Sequence, residues 1–409
     1  MRRRRGSIEP FSGKHDEWVK RNFPAIRGIV YLASAGRAPM PAPTIRAMHS
    51  ILRKESGKMS YILEDNRIID GFRAQASSLI RAKKSEVAFV TSTTNGINLF
   101  ANAVRWKKGD NIVIGDIEYP SNVYPWVRIA RTRGLEIRKI KARKGLLDIE
   151  DYEKCVDDRT SVLPVSLVQF SNGQRMDLER LSEICDRHGT MLFLDAIQAL
   201  GAIKVDVRSY NIAGISAGGY KWLCGPLGSG LLYVSDFFRD ELDPEIMSWF
   251  GLEESQRISL WDRVISGGSM IESRIKASPD ASAFDHSFEN YIQVVGLTES
   301  IKFLRDIGLG RIEKRILDLT DYFIERIDTE NLNLLTPRER ESRAGILSFS
   351  FWQGKMTKKQ AKAIEKRLGR VRLVVRMNAL RSATHFFNSK EDIDAAVEAV
   401  CRISRDWNR

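Results

Sequence analysis

Between about residues 85 and 235, short apolar and β-branched runs alternate with stretches whose apolar positions recur at helical spacing. The runs predict strands at Val87–Thr91, Asn111–Gly115, Glu136–Ile140, Ser161–Leu167, Met191–Leu194, Gly214–Ala217 and Gly230–Val234. Most are apolar on both faces and are separated by crossover-length segments. That is the pattern of an α/β fold with a mainly parallel seven-stranded sheet covered by helices. Beyond Asn290 the pattern changes: helices are expected at Tyr291–Ile307, Leu309–Ile327, Lys358–Leu368 and Lys390–Ile403, with β-rich pieces at Gly345–Trp352 and near Val371–Val375. This suits a smaller α+β domain.

The chain has 409 residues, 43% of them hydrophobic, enough for one large domain and a smaller one. Residues 1–40 are expected to join the small domain, 41–295 to form the large domain and 296–409 the small C-terminal one. The start Met1-Arg2-Arg3-Arg4-Arg5 is basic, but no apolar h-region follows it and no run approaches membrane-spanning length. A cytoplasmic location with no membrane partner is the expectation. Four cysteines without C-x-x-C spacing, and five histidines without an H-x-x-x-H pair, suggest neither a disulfide frame nor a metal site. The formal charge of +13 is dense over Arg128–Lys144 and Lys355–Arg376. It reads as a solvated basic surface, because no aromatic-interleaved nucleic-acid module accompanies it.

The informative polar residues stand at the ends of the predicted strands. Asp195 closes the run Leu192-Phe193-Leu194, and Lys221 follows 26 residues later in Ala217-Gly218-Gly219-Tyr220-Lys221-Trp222-Leu223-Cys224-Gly225-Pro226. A carboxylate at the end of a buried strand is costly unless a positive group faces it. A lysine among glycines can be approached closely, and Tyr220 and Trp222 desolvate its amine. Together the two residues are what holding pyridoxal phosphate requires. The lysine condenses with the cofactor aldehyde, and the aspartate keeps the ring nitrogen protonated. Taken singly, each has an ordinary reading, Asp195 as a helix cap and Lys221 as a surface lysine. Thr93 and Thr94 read either as an N-cap or as a phosphate cradle at a helix N-terminus. With Glu118-Tyr119 and Asn172 they fall just beyond strands, on the rim where open α/β sheets bind ligands.

These motifs, with Tyr31-Leu32-Ala33-Ser34-Ala35-Gly36 near the start and Arg381-Ser382-Ala383-Thr384-His385-Phe386-Phe387-Asn388 near the end, resemble the class V aminotransferase family of fold-type I pyridoxal phosphate enzymes. The resemblance covers nearly the whole chain. The family includes cysteine desulfurases, isopenicillin N epimerase-like proteins and several amino acid lyases, and the Tyr-Lys-Trp-Leu-x-Gly-Pro form is similar to its aminotransferase and epimerase-like branch. The resemblance implies a homodimer with shared active sites acting on an α-amino acid. It makes Lys221 the Schiff-base lysine, Asp195 the partner of the pyridine nitrogen, Gln198 a donor to the ring hydroxyl with Asn172 beside it, and Tyr119 the aromatic stacked on the ring. Arg381 would grip the substrate carboxylate, with Arg376 a neighbouring competitor, and Ser34 and Ala35 would line the substrate. Where relatives have a serine before the lysine motif this chain has Gly218, so Ser216 or Tyr220 is expected at the phosphate. Ser287 would stand in for a threonine that reaches the partner subunit's phosphate.

Desulfurases of this family carry persulfide on a cysteine in a loop before the final arginine, and residues 345–381 contain none. The expected reaction is therefore transamination of, or elimination from, an α-amino acid. Epimerisation or desulfurase-like chemistry is the enzymatic alternative, and a catalytically silent nucleic-acid-binding or scaffold protein is the contrasting class.

Overall fold

A computed structural model describes residues 10–11, 14–57, 65–246, 248–271, 274–285 and 290–407. The first strand, β1 (Val30–Tyr31), lies apart from the large sheet. That sheet is built from β2 (Val87–Val90), β3 (Asn111–Gly115), β4 (Glu136–Ile140), β5 (Thr160–Ser166), β6 (Met191–Asp195), β7 (Ile212–Gly218) and β8 (Gly230–Val234). These match the apolar runs of the sequence to within two residues at each end. The spatial order is β2-β8-β7-β6-β5-β3-β4, with β7-β6-β5-β3-β4 parallel and β8 antiparallel to both of its neighbours. Two reversals return β2 to the common direction, so every strand except β8 opens its carboxyl end on one rim.

β3, β6, β7 and β8 are buried along their whole length, which is why they read as unbroken apolar runs. β4, at the sheet edge, carries Glu136, Arg138 and Lys139, the charged trim that discourages edge-to-edge pairing. Helix Thr93–Ala103 begins just after β2 and is capped by Ser92, whose Oγ accepts the Asn95 amide at 3.1 Å. This helix presses onto β7 at Gly96, where a Cβ would come within 2.3 Å of Ser216 Oγ. Glycine is required there for close approach, which in turn fixes the height of the helix N-terminus over the rim.

The C-terminal part adds β9 (Asn333–Leu334), β10 (Ile346–Ser350), β11 (Val371–Arg372), β12 (Val374–Arg376) and β13 (Ala379–Ala383). β11 pairs in parallel with β1, tying the N-terminal segment to this part, and the other four strands form an antiparallel sheet β12-β13-β10-β9. One face of this sheet buries Leu347, Phe349 and Leu380 in a core shared with helices Leu309–Thr329 and Lys390–Trp407. β13 has no apolar run to announce it, since its central residue is Arg381. The expected division between residues 295 and 296 falls inside the unbroken helix Tyr291–Ile307, which packs on helices Ala42–Gly57 and Asp65–Ile80.

Gly96→Ala is expected to lower stability by about 1–3 kcal/mol, the usual cost of overpacking. Urea denaturation measures it, and a change below about 0.5 kcal/mol would show that the helix is free to shift.

Candidate active site

Asp195 ends β6 in register between Ser166 of β5 and Ser216 of β7. It is buried, and its Oδ1 accepts the Ile197 amide at 3.0 Å while Oδ2 has no donor among the described residues. Burial holds the carboxyl above the usual carboxylate range; the Ile197 amide and the Lys221 charge pull the other way.

Lys221 follows β7 in a tight turn in which the Gly225 amide donates to the Gly219 carbonyl at 2.7 Å and the Cys224 amide to the Lys221 carbonyl at 2.9 Å. The lysine is only 8% exposed, yet its amine has no hydrogen-bond acceptor among the described residues. Nζ lies 5.7 Å from the ring centroid of Tyr119 and 5.8 Å from that of Tyr220. Burial pushes the amine below the ordinary lysine range; Asp195 opposes this and the positive charge of Arg381 adds to it. Gln198 ties this turn to the loop that begins at Ala33, because its Nε2 donates to the Ala35 carbonyl at 3.1 Å and its Oε1 accepts the Trp222 indole N–H at 2.8 Å. Ser34, in the same loop, is fully buried, and its hydroxyl has no partner among the described residues.

Arg381 reaches the site from β13. It is 4% exposed, donates from Nη1 to the Phe170 carbonyl at 2.7 Å and leaves Nε without a partner among the described residues. Burial, with the charge of Arg376 adding to it, pushes the guanidinium down to about 10. Facing Lys221 is Tyr119, 44% exposed, its ring edge-on to Phe170 at 5.0 Å between centroids. The groups fit pyridoxal phosphate: a buried amine lacking an acceptor, a carboxylate oxygen lacking a donor, and a large aromatic with one side open. The first-turn amides of helix Thr93–Ala103 add donors without intrahelical partners at the same rim.

The other expected site residues divide by what already occupies them. Thr94 is exposed and donates to Ser121 Oγ at 2.9 Å, which places a pair of hydroxyls beside the helix N-terminus. Thr93 is buried, and its Oγ1 accepts the Gly218 amide at 2.9 Å. Ser216 is fully buried and donates to the Thr93 carbonyl at 3.0 Å, so both residues fasten the helix to β7. At Gly218 a Cβ would meet the Tyr220 ring at 3.1 Å, so a larger residue there would have to displace the tyrosine slightly. Asn172 has both side-chain atoms engaged within its own loops, donating to the Gly145 carbonyl at 2.7 Å and accepting the Gln174 amide at 3.0 Å. In the same segment Phe170 packs edge-on to Tyr119 and its carbonyl accepts Arg381 Nη1. Ser287 lies outside the described residues.

Glu118 is the group that the sequence placed on the rim without a role. It is buried, and its two oxygens accept the Ser166 amide at 2.8 Å, the Ser166 hydroxyl, Gln169 Nε2 at 2.8 Å and Asn122 Nδ2 at 3.0 Å. Burial raises its pKa and these four donors lower it. The carboxylate thereby bolts the end of β5 to the segment after β3 that presents Tyr119. Its partners lie 48 and 51 residues away for Ser166 and Gln169, so only the i to i+4 contact with Asn122 could have signalled it.

Among the described residues no group of three His, Cys, Asp or Glu side chains is placed to hold a metal ion, and no helix is long and apolar enough to cross a membrane. A family model described as Aminotransferase class-V matches residues 30–395. The chain is 29% identical over 314 residues to a probable cysteine desulfurase of Methanothermobacter thermautotrophicus, which covers 75% of this chain and 74% of that protein. Among solved structures, the apo cysteine desulfurase of Thermococcus onnurineus superposes with a TM-score of 0.84 at 22% identity, covering 98% of this chain and 99% of that one. The cystine C–S lyase C-DES, solved with its reaction product cysteine persulfide, gives 0.82 at 17% identity over 93% of this chain and 99% of that one.

Replacing Glu118 with alanine would strand four buried donors, and a loss of roughly 3–5 kcal/mol in unfolding free energy is expected. Chemical denaturation of the pair decides it, and a loss under about 1 kcal/mol would remove Glu118 from its role as the bolt.

Proposed function

The chain belongs to the aminotransferase class-V family of pyridoxal phosphate enzymes, and on that premise we propose that it catalyses β-elimination from an α-amino acid, releasing the β-substituent without passing it to a cysteine of its own. The observation that carries the amino-acid reading is the buried Lys221 amine, without an acceptor among the described residues, lying in the fields of both Asp195 and Arg381.

Lys221 would hold the cofactor, Asp195 Oδ2 would face its ring nitrogen, Gln198 would offer its remaining N–H, Tyr119 would cover one face, and Thr94 with the helix amides would receive the phosphate. When bound, pyridoxal phosphate supplies an electron sink for the carbon that bears the amino group. Arg381 offers a planar fork to the substrate carboxylate, and it has no anionic partner among the described residues, which supports that pairing. Lys221, with its proton affinity lowered by burial, is suited to take the proton from Cα. Asp195 stands buried beneath the site, where the Ile197 amide and the Lys221 charge favour its ionised form against the burial that opposes it. The family resemblance also implies a homodimer with shared active sites.

Release of the substituent, rather than persulfide transfer, is favoured by where the thiols lie. Cys224 is fully buried with Sγ 3.5 Å from His385 Nε2, and burial pushes its pKa well up. Cys185 is raised in the same way, and Cys401 sits in the helix-packed core of the C-terminal part. The cysteine-free stretch 345–381 adds to this.

Purified protein given pyridoxal phosphate should show a visible absorption band that disappears in Lys221→Ala. Arg381→Ala should keep the band and bind amino acids at least about tenfold more weakly, as expected for losing a charge-assisted hydrogen bond. Keto-acid, ammonia and the released substituent should appear together; keto-acid without ammonia would replace elimination by transamination.

A further inference from the structure

We propose that His385 is a positioning residue of the site: by donating from Nε2 to the Trp222 carbonyl, it holds the turn that carries Lys221 against the segment that carries Arg381. The inference rests on the site reading above and adds to it the group that sets the spacing of its two cations.

His385 follows Arg381 by four residues, just beyond the end of β13, and Trp222 follows Lys221 directly. The neighbours of the imidazole settle which nitrogen carries its proton. The Phe386 amide donates to Nδ1 at 2.8 Å, so Nδ1 accepts and the proton of the neutral ring resides on Nε2. Nε2 lies 3.1 Å from the Trp222 carbonyl, which can only accept. Full burial of the ring pushes its pKa down to about 3, so the neutral form persists at neutral pH. Cys224 Sγ is 3.5 Å from the same Nε2, and the Cys224 amide closes the turn on the Lys221 carbonyl. The imidazole thus touches the lysine turn at two of its residues.

Both partners of this hydrogen bond are held. Trp222 and Phe387 flank the imidazole with ring centroids 5.1 and 4.9 Å away, and Phe386 meets it edge-on at 4.6 Å. Trp222 is fully buried, and two glycines make room for it: a Cβ at Gly201 would come within 2.2 Å of its carbonyl oxygen, and one at Gly345 within 2.3 Å of its ring. Gly345 leads into β10, the strand that pairs Ser348 with Arg381, and its carbonyl accepts the Thr384 amide at 2.8 Å. Asn388 anchors the main chain of His385 in turn: its Oδ1 accepts the His385 amide at 2.9 Å and its Nδ2 donates to the Tyr31 carbonyl at 3.0 Å. The contact therefore joins a main chain fixed on the large sheet to one fixed on the small sheet. The Arg381 charge is felt at Lys221, so the two cations repel across the site. A bridge one residue from the lysine and four from the arginine opposes their separation.

Two substitutions separate the hydrogen bond from the packing. His385→Phe keeps a ring in the stack and removes the donor, whereas His385→Gln gives up the ring and returns an amide N–H near the place of Nε2. Each is loaded with pyridoxal phosphate and titrated with glycine and L-alanine, which have no β-substituent to lose, following perturbation of the visible band. Binding is expected to weaken about five- to tenfold in His385→Phe and to stay within about twofold of the unaltered protein in His385→Gln, the scale of one hydrogen bond. In an Arg381→Ala background the cost of His385→Phe should shrink to less than about twofold, because the spacing no longer serves a second cation. No cost in His385→Phe, an equal or greater one in His385→Gln, or a cost undiminished without Arg381 would reduce the residue to packing and overturn the proposal. Nitrogen NMR of the unaltered protein with labelled histidine does not depend on any variant folding. It should show an Nε2-protonated ring that does not titrate between about pH 5 and 8, and an Nδ1-protonated or charged ring would overturn the proposal. Absence in the unaltered protein of the Lys221-dependent band, or of any response to either amino acid, would overturn the site reading itself and the proposal with it.

Discussion

The site is organised by an electrostatic imbalance: a lysine and an arginine are buried toward one another with less negative charge among them than they require. Lys221 is almost inaccessible and has no acceptor among the described residues, and Arg381 keeps one guanidinium nitrogen unpaired while donating another to a main-chain carbonyl. Desolvated cations are expensive, and Asp195 standing nearby offsets part of that cost.

Holding that imbalance demands stiff surroundings, and the carboxyl rim of the sheet provides them. Thr93 and Ser216 stitch the helix after β2 to β7, and Gly96 allows the two to touch. Glu118 fastens β5 to the segment after β3, and Gln198 fastens the loop carrying Ala35 to the turn carrying Lys221. Thr93, Ser216 and Gln198, expected beside a cofactor, also fasten these segments together.

The candidate site is assembled from two sheets: Asp195 and Lys221 stand at the ends of strands of the large sheet, and Arg381 comes from the small one. One face of the small sheet is committed to a helix-packed core, and from the other Arg381 reaches the Phe170 carbonyl. The parallel pairing of β1 with β11 and the contact of Ala33 with Ala383 keep the N-terminal loop in the same assembly. The candidate site is therefore built where three stretches far apart in the chain meet.

The sequence by itself determined the large sheet, the pair Asp195 and Lys221, and the absence of a cysteine before Arg381. Strands buried on both faces must be apolar throughout, and a charged residue ending such a strand stands out against them. The tertiary structure alone decided that Ser216, Thr93 and Asn172 are held by backbone groups, that Glu118 is a hub, and that His385 meets the turn carrying Lys221. Those facts depend on hydrogen bonds and strand register between distant segments. β13 shows the limit most plainly: Ala-Leu-Arg-Ser-Ala has no apolar alternation to betray a strand, because its inward residue is the guanidinium the site needs.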